Sequence, residues 1–392
     1  MDSPVILAAT RTPIGKFQGS LSTVPAIKLG ALAIAAAVER SGVGPGDVDE
    51  VVMGNVLSAG LGQAPARQAA IAAGLPPTVA ALTINKMCGS GLKAVMLAAQ
   101  AIRAGDADVV VAGGMESMSR APFLAPRSGP PAGDRTLTDS MIHDGLYCSM
   151  SGLSMGAIAD DLAARDAISR QAQDEYALES HRRACRAAAE GAFAAEIVPV
   201  DVPGRKGRVD RVESDEGPRP DASGDRLAGL SPAFDREGTV TAGNASMISD
   251  GAAAVVVASF QVARKLGREP MARILASATS GTEPKDLYVA PVLAIRKALV
   301  RARLDSSLID RFELNEAFAA QALACLRRLD LTSERVNVNG GAIALGHPIG
   351  ASGARVLTTL LHELERSNLR YGVASLCLGG GNAVAMVVER VG

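Results

Sequence analysis

Two cysteines in glycine-rich turns are the first residues of this sequence that could carry out chemistry. Cys88 ends an apolar segment, opens a predicted helix, and precedes Gly89 and Gly91. A helix N-terminus offers free N–H groups and partial positive charge, which favour a thiolate over a thiol. The glycines leave space at the sulfur and let backbone N–H groups face an oxyanion. The pattern predicts a nucleophile, and an inert buried cysteine is the alternative.

Cys377 ends a predicted strand and is followed by Gly379, Gly380 and Gly381. Open α/β sheets bind ligands at the carboxyl ends of their strands, and a thiol with a suitable pKa can shuttle protons there. Asn315 and Glu316 follow another predicted strand and offer an amide and a carboxylate, although either could be an ordinary helix cap.

His347 lies in a glycine-rich loop, between Gly346 and Pro348, and just before a predicted helix. An imidazole is neutral near pH 7, and it can pair with a thiolate or donate to a developing oxyanion. Packing alone explains poorly why one of the chain's four histidines stands here, although a structural loop histidine remains the alternative.

The elements that must position these residues follow from composition and pattern. The 392 residues are 3% aromatic, contain no Trp and include 41 glycines, so the core must be built from small aliphatic side chains packed closely. Short β-branched runs alternate with Ala- and Leu-rich stretches, which predicts an α/β fold with a mainly parallel sheet. The predicted strands are 5–9, 51–53, 109–112, 255–258, 273–277, 312–314, 336–338, 373–376 and 383–388. The main predicted helices are 26–40, 91–104, 292–302 and 353–365.

The order of these elements occurs twice. A strand, a helix, an Asp-containing turn and a second strand start at Ile6 and again at Ile274, and later a small-residue turn opens a helix in each part. We therefore predict an N-terminal half of residues 1–120 and 244–268 and a C-terminal half of residues 269–392. Residues 121–243 do not fit the repeat and form a predicted inserted domain, in which Ser169 caps an amphipathic helix. Chance similarity between βα units is the alternative.

Charge and cysteine usage exclude several classes of protein. Forty basic and 41 acidic residues give a net charge of −1, which indicates neither a nucleic-acid partner nor an anionic membrane. No apolar run is long enough for a membrane span, and the N-terminus does not look like a signal peptide. The five cysteines are scattered and never in C-x-x-C spacing, so we expect reduced thiols in the cytoplasm and no metal site. Neither a phosphate-binding P-loop nor a dinucleotide-binding motif is present.

Four motifs in this order resemble the thiolase family, and within it the short bacterial acetyl-CoA acetyltransferase type. They are Cys88-Gly89-Ser90-Gly91, Asn315-Glu316-Ala317-Phe318-Ala319, Gly346-His347-Pro348-Ile349-Gly350 and Cys377-Leu378-Gly379-Gly380-Gly381. The resemblance covers essentially the whole chain. It implies a duplicated, five-layered α/β fold with two similar mixed-sheet halves and an inserted loop domain.

The resemblance also implies an activity and roles. The reaction would be the reversible condensation of two acetyl-CoA to acetoacetyl-CoA and CoA, or thiolysis of a 3-ketoacyl-CoA. Cys88 would become acylated, and His347 would activate it. A water held by Asn315 would complete one oxyanion hole with His347, and the backbone N–H groups of Cys88 and Gly379 would form the other. Cys377 would be the acid/base.

The family's substrate and assembly also carry over as expectations. Coenzyme A and acyl-CoA would be substrates rather than permanent cofactors, and the chain would form a homodimer or, more often in this family, a homotetramer. Ser246 would contact the pantetheine arm, and Arg219 would lie near the adenine. The remaining predicted substrate contacts are Met155, Ala245, Leu287 and Phe318. Arg205, Lys206 and Arg208 could meet phosphates, although a solvated basic turn is the more probable interpretation.

The sequence departs from the family's pattern in three places. Ser154 stands where a Tyr-His-Met-Gly motif has histidine, Leu287-Tyr288 replaces Met-Gly, and Ser249 replaces an asparagine. None is a catalytic position, but the first two leave open a degradative 3-ketoacyl-CoA thiolase of broader chain length. A ketoacyl synthase-like enzyme would use two histidines, which Cys377 speaks against. A non-catalytic acyl-CoA-binding subunit would not need the complete set of four residues.

Overall fold

The computed structural model describes residues 3–128, 133–204 and 207–392. Its longer strands are β1 (Pro4–Arg11), β3 (Glu50–Gly54), β4 (Ala80–Ile84), β5 (Val109–Ser117), β12 (Ser249–Ser259), β13 (Ala272–Gly281), β14 (Arg311–Leu314), β15 (Tyr371–Leu378) and β16 (Asn382–Arg390). Short strands are β2 (Gly15–Lys16), β6 (Phe123–Leu124), β7 (Thr138–Asp139), β8 (Tyr147–Cys148), β9 (Leu153–Ser154), β10 (Val200–Pro203) and β11 (Val209–Val212).

The helices are α1 (Ala26–Ser41), α2 (Pro65–Ala72), α3 (Ser90–Ala104), α4 (Met155–Arg165), α5 (Arg170–Ala189), α6 (Gly224–Ala228), α7 (Phe260–Lys265), α8 (Ala290–Ala302), α9 (Ala319–Leu329), α10 (Ala342–Leu345) and α11 (Ser352–Arg366). The four main predicted helices correspond to α1, α3, α8 and α11. Ser169 caps α5, since its hydroxyl accepts a hydrogen bond from Ala172 N, which confirms the predicted start.

The described residues place ten strands in one sheet, in the order β4-β3-β5-β12-β1-β13-β16-β15-β14, with β2 paired to β12. The prediction of a mainly parallel sheet is wrong. Parallel pairing joins β3 to β4 and β5, and β14 to β15, but the other pairs are antiparallel. The turn at Gly380 and Gly381, each with φ of +82°, returns the chain directly from β15 into β16. Such a short turn can join only antiparallel neighbours.

Strands β1 and β13 are neighbours in the middle of the sheet, and the strand order outward from them is similar on the two sides. One side runs β1, β12, β5, β3, β4, and the other runs β13, β16, β15, β14 and then Val336, which makes one parallel bridge with Phe312. The predicted strand at 336–338 is therefore wrong beyond Val336. Asn337 has φ of +48°, and its side-chain amide replaces strand pairing by accepting from Leu314 N and donating to Leu314 O. The remaining predicted strands are present, whereas β4 had not been predicted.

Helices pack against the outer faces of the sheet and between its two sides, which gives the fold its layers. Helices α1 and α2 cover the outer face of the first side, α8 covers the outer face of the second, and α3 and α11 lie between the two sides. The result is the expected five-layered mixed α/β fold. The interior is built from Ala, Val, Leu and Ile, as the composition predicts.

Helices α3 and α11 approach most closely where both begin. A Cβ on Gly91 would lie 2.7 Å from Ala354 N, and one on Gly353 would lie 2.2 Å from Leu92 N. Both positions therefore require glycine. Because Cys88 and His347 lie just before these two helices, the close approach brings them together.

Arg11 ties residues of the 121–243 segment to β1. Its Nε lies 2.6 Å from Glu196, and its two terminal nitrogens lie 2.7 and 2.8 Å from the carboxylate oxygens of Asp215. The guanidinium is fully buried. A buried bidentate pair of this kind fixes orientation as well as supplying energy.

We predict that Arg11→Ala lowers the free energy of unfolding by about 3–5 kcal/mol, because it leaves two buried carboxylates without their cation. The measurement is the urea midpoint by circular dichroism. Arg211→Ala is the matched control, since Arg211 pairs with Glu213 at the exposed surface and its loss should leave the midpoint unchanged. Equal midpoints for the two variants would contradict this.

Candidate active site

A cavity of about 490 Å³ opens where the central helices begin. Four of the five predicted catalytic residues line it, namely Cys88, His347, Cys377 and Gly379, and the fifth, Asn315, lies behind His347. All six predicted substrate contacts line the same cavity: Met155, Arg219, Ala245, Ser246, Leu287 and Phe318. Its walls are mostly apolar, so the polar groups are few and localised.

A strained turn holds Cys88 at the start of α3. Met87 adopts a left-handed conformation with φ of +49°. Ser90 stabilises the turn, since its hydroxyl donates to Met87 O over 2.6 Å and accepts from Lys86 N over 2.8 Å. Backbone strain of this kind is commonly stored where a side chain must be aimed.

Burial raises the pKa of Cys88 to about 11, although the backbone N–H groups of Cys88 and Gly379 act to lower it. The N–H groups favour the thiolate as expected, but removing the sulfur from water costs more than they return. The free protein holds Cys88 as a thiol.

His347 is buried, and its ring is held at both nitrogens. Nδ1 lies 2.6 Å from Ser352 Oγ, and Nε2 lies 3.4 Å from Asn315 Nδ2. Ser352 Oγ can accept from a protonated Nδ1 while donating to Pro348 O over 2.8 Å, or rotate to donate to Nδ1. Burial, together with the charge of Arg355, lowers the pKa of His347 to about 3, so the ring is neutral near pH 7.

Asn315 and Glu316 differ sharply in their surroundings. Asn315 Oδ1 is buried and has no hydrogen-bond partner among the described residues, which makes it an acceptor available to a water molecule. Glu316 receives hydrogen bonds from Tyr176, Ser180, Asn337 and Ile343 N. Its carboxylate is therefore a structural group that ties the loop before α10 to α5.

Cys377 lies at the end of β15 in the apolar cluster that also contains Tyr288 and Phe318. Burial, and then the nearby Cys88 sulfur, raise the pKa of Cys377 well above 9. Two thiols and an imidazole, all neutral at rest, thus line one cavity. The arrangement can form a covalent bond at one sulfur and move a proton with the other.

Two sequence families match adjacent parts of the chain. The family described as "Thiolase, N-terminal domain" matches residues 4–261, and "Thiolase, C-terminal domain" matches residues 268–390. The chain belongs to the thiolase family. The resemblance seen in the four motifs is confirmed over nearly the full length.

Relatives named acetyl-CoA acetyltransferase are similar to this chain from end to end. An acetyl-CoA acetyltransferase from Cupriavidus necator is 54% identical over 392 residues and covers 100% of both chains. An acetyl-CoA acetyltransferase from Escherichia coli K12 is 52% identical, again over 100% of both chains. The crystal structure of the Bacillus anthracis acetyl-CoA acetyltransferase matches with a TM-score of 0.97 and 43% identity, covering 100% of this chain and 99% of that one.

The thiolase site includes a carboxylate that the sequence reasoning missed. Glu116 at the end of β5 accepts from Asn55 Nδ2, Val56 N and Leu57 N on one side and from Gly350 N on the other. It thus clamps the His347 loop to the first side of the sheet. Burial raises the pKa of Glu116 to about 7 despite these bonds. A carboxylate inside an otherwise apolar strand was the signal that could have found it.

Cys148, Ser352 and Tyr288 also contribute to the site without having been predicted as site residues. Burial alone would raise the pKa of Cys148, but the nearby polar groups of Ser151, Met150 and Gly380 lower it overall. Nothing in the spacing of Cys148 indicated this. The position of Ser352, five residues after His347 and at the start of a predicted helix, could have indicated that it contacts the histidine.

The basic turn that contains Arg205, Lys206 and Arg208 gives little support to the idea of a phosphate contact. Arg208 pairs with Asp210 at 2.9 Å and is 80% exposed, as expected of a solvated turn. Arg205 and Lys206 lie outside the described residues. Arg219 lines the cavity, and its backbone N–H donates to His181 Nδ1 over 3.3 Å.

Within residues 3–128, 133–204 and 207–392, no group of three or more His, Cys, Asp or Glu side chains could hold a metal ion. In the same part of the chain, no helix is both long and apolar enough to cross a bilayer.

We predict that the imidazole of His347 stays neutral from pH 8 down to pH 5. Its lowered pKa of about 3 means that protonation begins only well below the usual range for histidine. The measurement is 15N NMR of histidine-labelled protein, with His347→Asn identifying the signal among the four histidines. A cationic ring at pH 6 would contradict the neutral assignment.

Proposed function

We propose that this thiolase catalyses the reversible condensation of two acetyl-CoA to acetoacetyl-CoA and CoA through an acyl group on Cys88. The observation that carries the proposal is the convergence of Cys88, His347 and Cys377 on one cavity, with the backbone N–H groups of Cys88 and Gly379 near the Cys88 sulfur. The full-length relatives named acetyl-CoA acetyltransferase support the choice of an acetyl group.

Acylation begins from a neutral thiol and a neutral imidazole. The Cys88 proton passes to His347 Nε2 as the sulfur attacks the thioester carbon of acetyl-CoA. The N–H groups of Cys88 and Gly379 stabilise the negative oxygen of the tetrahedral intermediate. The bond to the CoA sulfur then breaks and Cys377 donates its proton to that sulfur, which leaves an acylated Cys88, a protonated His347 and a Cys377 thiolate.

Condensation uses Cys377 in its thiolate form. It removes a proton from the methyl group of a second acetyl-CoA, and the resulting carbanion forms a C–C bond to the acyl carbon on Cys88. The Cys88 sulfur leaves as a thiolate and recovers its proton from His347, while Cys377 keeps the methyl proton, so that the resting thiols and the neutral imidazole are restored. Because burial raises the pKa of Cys377, its thiolate is a strong base suited to a weakly acidic carbon.

His347 and Asn315 serve the oxygen of the second thioester. A water donating to the unpartnered Asn315 Oδ1 would lie beside His347 Nε2, since the two side chains are 3.4 Å apart. Such a water and Nε2–H form a pair of donors for the enolate oxygen. His347 supplies Nε2–H because it holds the proton taken from Cys88, and Ser352 supports this state because its hydroxyl can accept from Nδ1–H while donating to Pro348 O.

Coenzyme A binds from the side of the 121–243 segment. Ser246 and Arg219 contact coenzyme A. The pantetheine end and the acyl group are enclosed by Met155, Ala245, Leu287 and Phe318. All six residues line one continuous cavity. Ala245 and Phe318 are joined by an antiparallel bridge, which fixes the pantetheine and acyl sides relative to each other.

The division of the chain follows the same proposal. Residues 1–120 with 244–268, and residues 269–392, are the two halves, and residues 121–243 are a loop domain that binds coenzyme A and contributes to a homotetramer. Coenzyme A and its thioesters are substrates, and the protein carries no permanent cofactor. The five free thiols suit the cytoplasm, where the enzyme acts in fatty acid metabolism.

We predict that Cys88→Ala abolishes both condensation of acetyl-CoA and thiolysis of acetoacetyl-CoA, because no acyl-enzyme can form. Both rates are followed from acetoacetyl-CoA absorbance, and mass spectrometry reports the acyl-enzyme. Cys185→Ala is the control, since Cys185 lies in α5 away from the cavity and should keep wild-type rates. Thiolysis retained by Cys88→Ala would overturn the mechanism.

Cys377→Ala is expected to separate the two steps. The variant should still accept an acetyl group on Cys88, since the N–H groups and His347 remain. It should lose exchange of the acetyl-CoA methyl protons with deuterium by at least a hundredfold, as expected for removal of a general base. Unchanged exchange, measured by NMR in D2O, would remove the acid/base role from Cys377.

A further inference from the structure

Aromatic residues are scarce in this chain, yet three of them contact one another at the cavity. There are seven Phe, four Tyr and no Trp in 392 residues. The rings of Tyr288 and Phe318 lie 5.5 Å apart at 73°, and those of Phe234 and Phe318 lie 6.2 Å apart at 78°. These edge-to-face contacts build a stiff wall, because each ring restrains its neighbour.

Tyr288 is the innermost ring of this wall and is fixed at both ends. Its hydroxyl donates to Met155 O over 2.7 Å, and its own carbonyl accepts from the Cys325 thiol over 3.2 Å. The residue is 2% exposed. Swinging the ring aside would leave the buried hydroxyl without a partner, which a protein interior disfavours.

The ring stands beside the reacting sulfurs. Tyr288 lines the cavity together with Cys88 and Cys377. Burial raises the pKa of the Tyr288 phenol most, and the sulfurs of Cys377, Cys88 and Cys148 raise it further. The hydroxyl therefore remains a donor throughout the reaction. An acyl chain that extends from Cys88 toward this wall meets the ring rather than open space.

Two of the three departures from the family's pattern, Ser154 and Tyr288, meet at this point. Ser154 caps α4 by accepting from Ala157 N, and the next residue, Met155, supplies the carbonyl that holds Tyr288. The Ser154 hydroxyl is therefore a helix cap rather than a replacement for a functional histidine. Ser154 also lines the cavity beside Tyr288, so the small and the large substitution lie next to each other.

We propose that Tyr288 determines acyl chain length by closing the end of the pocket that receives the acyl group on Cys88. This inference rests on the proposed function and adds a residue that sets its specificity. The fixed ring accepts an acetyl group and excludes longer acyl groups. Discrimination of about 10–200-fold per methylene is what a pocket wall of this kind supplies.

The test compares thiolysis of acetoacetyl-CoA with that of 3-ketohexanoyl-CoA, which would place a butyryl group on Cys88. We expect Tyr288→Ala to raise the ratio of kcat/KM for the longer substrate to kcat/KM for the shorter one by at least tenfold. Tyr288→Phe is the matched control. It keeps the ring and loses only the hydrogen bond to Met155, so the ratio should stay within about threefold of the wild-type value.

Two further readouts keep the result unambiguous. Tyr288→Leu keeps an apolar side chain in place and should shift the ratio in the same direction if Tyr288→Ala does not fold. Mass spectrometry after incubation with butyryl-CoA should show more butyryl-Cys88 in Tyr288→Ala than in wild type. A folded Tyr288→Ala or Tyr288→Leu that keeps the wild-type ratio would overturn the inference, whereas wild-type protein inactive on acetoacetyl-CoA would overturn the proposed function instead.

Discussion

The close approach of helices α3 and α11 is the constraint on which the rest of the structure depends. Neither helix could begin where it does if Gly91 or Gly353 carried a side chain. Because the helices meet at their first turns, the segments that precede them are forced into one small volume. Those segments hold Cys88 and His347. The flanking sheet layers then bury the pair and leave the cavity as the route to both.

Burial is also what sets the chemistry of the site. The N–H groups at Cys88 and the neighbouring His347 would favour a thiolate in a more polar setting, yet the apolar walls keep both groups neutral at rest. Charge is therefore created only during the reaction, next to donors that are already in position. A site of this kind has little solvent to reorganise when an oxyanion develops.

Much of the fold and most of the candidate site could be predicted from the sequence, for identifiable reasons. Strands and central helices were found because β-branched and alanine-rich runs have distinct patterns, and Cys88, His347 and Cys377 stand in glycine-rich turns that packing alone does not explain. Whether neighbouring strands pair in parallel or antiparallel was harder to predict. The direction depends on the short turn at Gly380 and Gly381 and on where the chain returns to the sheet after residue 243.

The other features that could not be predicted from the sequence depend on contacts between residues far apart in the chain. The strand expected after Val336 fails because the side chain of Asn337 takes over pairing with Leu314. The net effect on the pKa of Cys88 could not be predicted, because burial of a sulfur is a property of the assembled layers rather than of the local turn. Tyr288 was noted as a departure, but its contact with Met155 spans 133 positions in the chain and leaves no local pattern.

The carboxylate of Glu116 carries a consequence for how such a protein can change. Its oxygens accept from Asn55, Val56 and Leu57 on one side of the sheet and from Gly350 in the His347 loop. This shared carboxylate makes the two parts depend on each other for the shape of the cavity. A substitution that removes a donor on one side would therefore also shift the loop that positions His347.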